Sequence, residues 1–426
     1  MKSRSCSFAW ALSLTVLTFS ASAQTVWTSS AEDLVAAFDL KTGKELAEFE
    51  VSGRLSDLTV LPNQHVVLNH RAKNELVLFD ARTHKKVAQL ASSRMGGVHP
   101  HHGYLIKTAK HTLYAVAHDG ENRDKDSTVA FFEVLPHAPG LAFAGEVRVG
   151  AGHHKLAHFP GQDWVSVSNI NDCDQVLSVL DVSQPAQPRV VHAIGATQLG
   201  YNGDRPEQRC DAAGKQGRAL RPHGAAASQR FHVHNFNGTG QLAVVKPNGT
   251  VRVLDTQGSG GASGVALPDG SVVMTQFAPR EGGAGAACQV GQLAWVSALG
   301  DQLQQIPVRM QPDCAQGSKG ARLGYVSLAP DQKTLLLPLS TMGNDAESAK
   351  FVARMRLEEG KAVQLSSVAI GEQVGHRDHG WLPDRSLFVF PNGKGSTVSV
   401  VDPTTGEVTV TIPVQPNPLR AVLTQP

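Results

Sequence analysis

Short apolar stretches separated by turn residues run along the chain from Thr25 onward, and this pattern is typical of β-strands. Residues 375–414 hold one complete example, in which Pro, Asp, Asn, Thr and Gly form the turns between strands. The four predicted strands of this example cover residues 380–382, 387–390, 397–401 and 407–412. No stretch keeps the 3.6-residue apolar period of an amphipathic helix. The pattern therefore predicts an all-β chain built from four-stranded units.

Two markers show how often this unit repeats. An apolar residue followed by Pro and a turn residue, as at Leu382-Pro383-Asp384, recurs with two degenerate copies to give seven. An apolar strand ending in an acidic or polar turn, as at Asp402, occurs eight times. The last apolar strand, residues 418–424, has no downstream partner, and both counts become eight if it pairs inside the N-terminal unit. We therefore predict an eight-bladed β-propeller closed by a C-terminal strand in the N-terminal blade, with seven blades as the alternative.

The N-terminal segment differs from the rest of the chain. Residues 1–23 combine the basic Lys2 and Arg4, a short apolar run and the small residues Ala21-Ser22-Ala23, which together indicate a secretory signal peptide. The apolar run is shorter than the ~20 residues that span a bilayer, and no later stretch approaches that length. We expect a periplasmic protein, with residues 24–426 forming a single propeller domain and no membrane insertion.

The charge balance limits the classes of partner that the protein is expected to bind. The chain has 39 Lys and Arg against 37 Asp and Glu, and two of the bases leave with the signal peptide. The mature net charge is therefore close to zero, which argues against nucleic acid as a partner. We expect a monomer.

In a four-stranded blade, the links into the innermost strand and the links between the second and third strands lie at the same end of the channel. The four mature cysteines fall in such links: Cys173, Cys210, Cys288 and Cys314. Three connectivities are possible, and this topology favours Cys173–Cys210 and Cys288–Cys314. A thiolate metal site is the competing interpretation, but the chain has no CxxC spacing and an exported protein meets an oxidising compartment.

The same links are rich in histidine. Of eighteen histidines, eight lie in links that lead into predicted innermost strands: His99, His101, His102, His153, His154, His223, His376 and His379. Imidazole binds Zn, Cu, Ni and Fe, so their convergence on one channel mouth predicts a metal site. Asp378 or Asp119 could add an oxygen ligand or orient an imidazole. His232 and His234 alternate along one strand, and we expect them to be structural.

An alignment of His-Gly pairs refines this prediction. Setting His223-Gly224 against His379-Gly380 superposes the two pairs without gaps, and His102-Gly103 gives a third pair. His153 and His154 resemble His101 and His102 in position. The candidate metal ligands are therefore His101, His102, His153, His154, His223, His376, His379 and Asp378.

These features resemble the periplasmic AztD-type zinc metallochaperones, which are β-propeller partners of zinc ABC importers. The resemblance rests on the signal peptide, the HPHHG, HHK, PHG and HRDHG segments, the last blade and the paired cysteines, and it covers most of the mature chain. It implies a protein that holds Zn²⁺ and transfers it to the periplasmic zinc-binding protein of the importer. It carries over only to the channel histidines, because no flexible His-rich segment is found.

Two other classes of function stay open. A metal-dependent propeller hydrolase or lactonase would need a general base near the metal, for which Asp378 is the candidate. A protein-interaction scaffold would need no metal. We predict a binding protein rather than an enzyme, with Cu²⁺ as an alternative to zinc because the affinity order favours copper wherever both are free.

Overall fold

The computed structural model describes residues 24–53, 55–120, 127–137, 139–152, 154–201, 220–256, 260–261, 263–276, 290–309, 322–340, 351–358, 361–371, 380–381 and 386–425. These residues form eight antiparallel sheets, which are the eight blades of a β-propeller. The predicted all-β, eight-bladed fold is confirmed, and the seven-bladed alternative is wrong.

Each blade is given from its innermost to its outermost strand. Blade 1 contains β33 (Pro418–Thr424), β1 (Thr25–Ser30), β2 (Leu34–Asp39) and β3 (Glu45–Glu50). Blade 2 contains β4 (Leu55–Val60), β5 (His65–His70), β6 (Glu75–Asp80) and β7 (Lys85–Ala91). Blade 3 contains β8 (Pro100–Lys107), β9 (Thr112–His118), β10 (Thr128–Val134) and β11 (Leu141–Arg148). Blade 4 contains β12 (His154–Ala157), β13 (Trp164–Asn169), β14 (Leu177–Asp181) and β15 (Arg189–Ile194).

The second half of the ring follows the same order. A short 3₁₀ helix (Thr197–Leu199) follows blade 4. Blade 5 contains β16 (Pro222–Ala227), β17 (His232–Phe236), β18 (Gln241–Val245) and β19 (Val251–Asp255). Blade 6 contains β20 (Gly264–Ala266), β21 (Val272–Gln276), β22 (Val290–Val296) and β23 (Leu303–Arg309). Blade 7 has a split inner strand, β24 (Arg322–Leu323) and β25 (Ser327–Leu328), then β26 (Thr334–Ser340), β27 (Phe351–Glu358) and β28 (Lys361–Ala369). Blade 8 contains β29 (Gly380–Trp381), β30 (Phe388–Asn392), β31 (Thr397–Val401) and β32 (Val408–Pro413).

The C-terminal strand closes the ring as the sequence predicts. β33 pairs antiparallel with β1, with Thr424 opposite Thr25, and so becomes the innermost strand of the N-terminal blade. Leu423 of β33 and Val26 of β1 then pack against blade 8 in one apolar cluster. Closure completes the N-terminal blade and gives β1 a strand neighbour on both sides, β33 and β2, which limits exposed sheet edges.

Apolar packing joins each blade to the next. Eight buried clusters fill the eight interfaces, and the largest fully buried side chains include Trp27, Phe79 and Phe131. Each blade is apolar on both faces, so it buries its strands only between two neighbours. Repetition therefore stabilises the ring and holds its central channel.

Aspartate-capped turns explain why the second marker predicts the blade count. At the end of β2, Asp39 Oδ1 accepts the Thr42 N–H at 2.7 Å, and Gly43 follows with a φ of 68°. Asp80 accepts the N–H of Thr83 in the same way, and Asp402 accepts the N–H groups of Thr404 and Thr405. Asp favours this turn because its short side chain bonds the backbone locally.

The links into the innermost strands and those between second and third strands lie at the same end of the channel, which we call the mouth. No helix among the described residues is long and apolar enough to cross a membrane.

Candidate functional site

A one-residue slip in register marks the mouth end of four innermost strands. It falls between Leu55 and Leu58 in β4, between Pro100 and His102 in β8, between Pro222 and Ala225 in β16, and opposite Ser29 and Ser30 in β33. Such bulges re-aim side chains at the rims of closed sheets. Here they place the polar residues Asp57, His101, His102, His223 and Arg420 at the mouth.

The bulges of blades 3 and 5 superpose and correct the His-Gly alignment. Pro100 pairs with the last residue of β9, and Pro222 pairs with the last residue of β17. The residue before each proline has a positive φ, 61° at His99 and 44° at Arg221. His223 therefore corresponds to His101, and the alignment of His223 with His102 is wrong by one residue. The extra residue of the bulge shifts the register of the innermost strand against its neighbour, and a sequence alignment of His-Gly pairs does not contain that information.

Blade 4 repeats the arrangement of blade 3. The His99 carbonyl accepts the Asp119 N–H at 3.1 Å, and the Ala151 carbonyl accepts the Asn171 N–H at the same distance. His102 is three residues after His99, and His154 is three residues after Ala151. His154 therefore occupies in β12 the position that His102 occupies in β8. The predicted correspondence of the two His-His pairs agrees with this register.

Asp57 links three neighbouring blades in a row that we call the mouth ladder: Arg420, Asp57 and His102. Asp57 Oδ2 lies 3.0 Å from His102 Nδ1 and accepts the Gly103 N–H at 3.0 Å. Its Oδ1 accepts a bond from Arg420 Nε at 3.3 Å. A carboxylate only accepts hydrogen bonds, so His102 carries a proton on Nδ1, and in the neutral ring the lone pair is then on Nε2. That tautomer is the one in which a carboxylate-backed histidine binds a metal.

His101 has a different environment beside the ladder. Its Nδ1 lies 3.0 Å from Asp119 Oδ2 and 2.7 Å from a guanidinium nitrogen of Arg71. The first contact requires a proton on Nδ1 and the second requires a lone pair there, so only one is a hydrogen bond at a time. His101 therefore has two tautomers available, and Nε2 carries a lone pair when Nδ1–H faces Asp119.

The two imidazoles of the HPHHG segment lie together. The rings of His101 and His102 are stacked, with centroids 4.2 Å apart and planes at 21°. Adjacent residues of a regular strand point to opposite faces, so this contact depends on the bulge.

Burial and charge set the protonation of these groups. Burial lowers the pKa of His101 more than the neighbouring Asp119 raises it. Burial alone would raise the pKa of Asp57, but Arg420, Lys155 and His101 together hold it below its usual value. At neutral pH the site therefore contains a neutral His101 imidazole and an ionised Asp57 carboxylate.

Several contacts fix the backbone that carries the two histidines. The His101 carbonyl accepts bonds from Ser56 Oγ at 2.6 Å and Asn69 Nδ2 at 3.3 Å. Gly103 lies so close to Tyr114 that a Cβ would be 1.8 Å from the phenolic oxygen. The glycine of this His-Gly pair is therefore required by packing.

Glu146 anchors the link that precedes β8. Its carboxylate accepts bonds from the Ser93 hydroxyl at 2.6 Å, the Arg94 N–H at 2.7 Å and the Met95 N–H at 2.9 Å. Burial raises the pKa of Glu146, but these donors, together with Thr128, hold it below its usual value. These contacts, which we call the Glu146 clamp, hold the link that leads into the histidine segment of β8.

Lys155 directly follows His154 and extends across the channel. Its Nζ lies 3.0 Å from the hydroxyl of Tyr325 and 4.9 Å from the centroid of that ring. Tyr325 belongs to blade 7, between β24 and β25, whereas Lys155 belongs to blade 4. A contact between blades three apart in a ring of eight crosses the central channel.

The structure brings together only part of the predicted ligand set. His101 and His102 are in contact, and His223 lies at the equivalent bulge two blades away. Of His154, the strand position is described but the side chain is not. His153, His376, Asp378 and His379 lie outside the described residues. Within the described part of the chain, no three His, Cys, Asp or Glu side chains form a group that could hold a metal ion.

One observation bears on the cysteine prediction. Cys173, in the link between β13 and β14, is disulfide-bonded. Cys210, Cys288 and Cys314 lie outside the described residues, and so does the predicted signal peptide. The pairing therefore stays a prediction.

The sequence prediction missed the charged residues that surround the histidines. Asp57, Arg420 and Lys155 each interrupt an otherwise mainly apolar innermost strand, LSDLTV, PLRAVLT and HKLA. A charge within a buried strand was the available signal, because such a group needs a partner. Arg71 was harder to recognise from the sequence, because it lies in the link between β5 and β6, where a charged residue is common.

His232 and His234 form a second cluster, between blades 4 and 5. The Gln162 Nε2 amide group donates to the Gln229 carbonyl, so Gln162 Oε1 accepts a hydrogen bond from His232 Nε2 at 3.1 Å. His232 Nδ1 then accepts from Ser166 Oγ at 2.8 Å, and Ser166 accepts from His234 Nε2 at 2.7 Å. His232 also stacks on Trp164, with centroids 3.6 Å apart. Both imidazoles are fully buried in the core, which agrees with the structural role predicted for them.

Comparison with known proteins finds similarity at the level of structure. No family model and no curated protein matches the sequence. Two structures of AztD from Citrobacter koseri, one of them apo, have TM-scores of 0.56 and 0.58 at 14% and 13% identity. Each alignment covers 94% of this chain and 98% of the AztD chain.

Other propellers are similar to a comparable degree. The dihydro-heme d1 dehydrogenase NirN in complex with DHE has a TM-score of 0.61 at 12% identity, over 93% of this chain and 74% of NirN. A candidate 6-phosphogluconolactonase from Bacteroides fragilis has a TM-score of 0.52 at 13% identity, over 95% of this chain and 99% of its own. At these identities the likeness establishes the fold. The similarity to AztD inferred from the sequence is thus confirmed as a shared fold over nearly the whole chain.

Proposed function

We propose that this chain is a periplasmic metallochaperone that holds Zn²⁺ at the channel mouth and transfers it to the zinc-binding protein of an ABC importer. The proposal is supported by the mouth histidines, by the fold shared with AztD and by the sequence features of an exported protein.

The observation that carries the proposal is the contact between His102 and Asp57. The carboxylate holds the proton on Nδ1 and so directs the Nε2 lone pair away from the ladder. His101 stacks on this ring and provides a second imidazole backed by a carboxylate. Zinc prefers about four nitrogen, sulfur or oxygen ligands. The two described imidazoles fit half of such a set, and we propose that the others come from His153, His154, His223, His376, His379 and Asp378.

The charges at the mouth favour binding over catalysis. A hydrolase needs a carboxylate or imidazole that is available as a general base. Asp57 is bonded to Arg420 and His102, and Asp119 is paired with Arg71 at 2.6 Å. Each carboxylate thus already orients a histidine and neutralises an arginine, which suits a ligand-positioning role.

A metal analysis of the full chain tests the proposal. The protein is exported to the periplasm without a polyhistidine tag, purified, and analysed for zinc and copper. After removal of metal, zinc uptake is measured by equilibrium dialysis. We expect stoichiometric zinc in the wild type and in the control His137→Ala, because His137 is an exposed turn residue at the opposite end of the channel. We expect little uptake by His102→Ala, and failure of the wild type to take up zinc would overturn the proposal.

A further inference from the structure

Met95 is an exposed apolar side chain at the mouth end of the ring. Among the described residues, seven other large apolar side chains are exposed, and all lie elsewhere: five on outermost strands, Leu105 on the innermost strand β8 and Leu299 in a turn at the opposite end. Met95 is 43% exposed and belongs to residues 92–99, which lead from β7 into β8 and which we call the rim link. Its side chain is therefore within reach of a protein that approaches the mouth.

Hydrogen bonds fix the backbone around Met95 although its side chain is exposed. Its N–H donates to the buried Glu146 carboxylate at 2.9 Å, and its carbonyl accepts a bond from Arg148 Nη2 at 3.3 Å. Gly96 follows with a φ of 85°, and a Cβ there would meet no described atom within 4 Å, so the tip of the rim link projects into solvent. A side chain on such a preorganised backbone loses less conformational entropy when a partner covers it.

Exposed cations flank the tip of the rim link. The Arg94 guanidinium carbon lies 4.4 Å from the centroid of the Phe143 ring, which gives this exposed side chain a defined position. Lys73 is exposed on the neighbouring link, and Asn74 beside it bonds the first and last residues of the rim link at 2.9 Å and 2.6 Å. Methionine and arginine are enriched in protein–protein interfaces, and exposed cations attract a surface that carries carboxylates.

We propose that Met95, Arg94 and Lys73 form a docking surface for the protein that accepts the metal. This inference rests on the proposed function and names the surface through which the partner binds. The occupant is a protein surface on which carboxylates surround a small apolar pocket. The pocket takes the flexible methionine side chain, and the carboxylates pair with the two cations.

The two links of the docking surface also lead to the proposed metal site. The rim link ends at His99, two residues before His101 in the chain. The link that carries Lys73 begins with Arg71, whose guanidinium lies 2.7 Å from His101 Nδ1. A partner that binds Met95 is therefore held beside the mouth, where its own ligands can replace the histidines around the metal.

Zinc transfer to two kinds of acceptor tests the docking surface. The zinc-loaded chain is mixed in a stopped-flow instrument with either the metal-free periplasmic zinc-binding protein of the importer, labelled with a zinc-responsive fluorophore, or a small chromophoric chelator. The test variant is the double substitution Arg94→Glu, Met95→Ser, which retains both backbone N–H donors to Glu146. The control is Leu299→Ser, which removes an apolar side chain that is 61% exposed at the opposite end. Thermal unfolding verifies that both variants are folded.

We expect the wild type and Leu299→Ser to transfer zinc to the protein at a rate that rises with acceptor concentration and exceeds release to the chelator. The double variant should transfer to the protein at least about tenfold more slowly, which is the effect of losing an interface hot spot. Its release to the chelator should equal that of the wild type, because the metal site is unchanged.

The possible failures are distinguishable. If the wild type takes up no zinc, the proposed function fails together with this inference. If the wild type binds zinc but the folded double variant transfers it to the protein as fast, the docking surface alone is overturned. A wild-type dimer in analytical ultracentrifugation that the double variant dissociates would assign the surface to a second copy of this chain and would also overturn the inference.

Discussion

The molecule contains two histidine clusters that differ in what holds their ring nitrogens. At the mouth, carboxylates lie against Nδ1 of His101 and His102. Between blades 4 and 5, a serine hydroxyl and a glutamine amide bond His232 and His234. A carboxylate increases the basicity of the opposite nitrogen and attracts cations, whereas a hydroxyl and an amide satisfy neutral rings in the core.

The residues around the two clusters also differ in charge. The mouth histidines are accompanied by Arg71, Lys155 and Arg420, so charge is concentrated there. The core pair is enclosed by Trp164 and blade packing, and burial lowers the pKa of His234 to about 3. The comparison teaches that the partner of an imidazole, rather than the number of histidines, distinguishes the proposed binding site from a structural network.

The largest effect is expected from the ladder histidine. Replacing His102 by Ala removes the proposed zinc ligand, so zinc affinity should fall by more than the roughly 10- to 100-fold cost of losing an outer partner. Replacing His232 by Gln, which retains a polar side chain in the core cluster, should leave the affinity of the folded protein unchanged. Competition with a chromophoric chelator measures both. Equal loss in the two variants would remove the distinction between the clusters.

The next effect concerns the partner of that histidine. Asp57→Asn keeps the size of the side chain but removes the charge that fixes the His102 tautomer, so zinc affinity should fall by about 10- to 100-fold. The matched control is Asp39→Asn, which changes a carboxylate that caps a turn at the opposite end of the channel. An unchanged affinity in folded Asp57→Asn would contradict the orienting role of this carboxylate.

The core cluster of His232 and His234 should make the free energy of unfolding depend on pH. Burial lowers the pKa of His234 to about 3, whereas an unfolded chain titrates near 6.5. The unfolded state then binds more protons below pH 6.5, so stability is present above that pH and is lost as pH falls. Between pH 6.5 and 5 the free energy of unfolding of the metal-free protein should drop by about 2 kcal/mol for His234.

Urea unfolding at pH 7 and pH 5 measures this loss, and burial lowers the pKa of His232 in the same direction. A His232→Gln, His234→Gln double variant should show a correspondingly shallower pH dependence. A pH dependence as steep as that of the wild type would show that other groups dominate acid destabilisation.

The smallest effect is expected from the Glu146 clamp. Glu146→Gln retains a hydrogen-bonding side chain but loses the charge that four donors share. The free energy of unfolding should fall by about 1 kcal/mol. Zinc affinity should change only a few-fold, because the ladder itself stays intact. An affinity loss as large as that of Asp57→Asn would mean that the link before β8 also determines zinc binding.

The fold could be predicted because its signals are local. The turns at Asp39, Asp80 and Asp402 are each formed by one side chain bonding the backbone a few residues away. Repetition of such turns yields the blade count, and the unpartnered strand at residues 418–424 predicts the closure that β33 and β1 confirm.

The site was only partly predictable because its contacts connect different blades. Asp57 meets Arg420 across 363 positions of sequence and His102 across 45. The bulge adds a second obstacle, since one extra residue shifts His223 into register with His101 instead of His102. The histidine concentration was visible in the sequence, but the charged residues that contact the histidines come together only in the closed ring.

Diffraction from crystals of the zinc-loaded protein, with data collected on both sides of the zinc absorption edge, tests the central claim most directly. We predict an anomalous difference peak at the channel mouth, about 2.0–2.1 Å from Nε2 of His102, with Nδ1 of that ring still bonded to Asp57. A zinc peak located away from His102, or density showing His102 bound through Nδ1 with its contact to Asp57 lost, would contradict it.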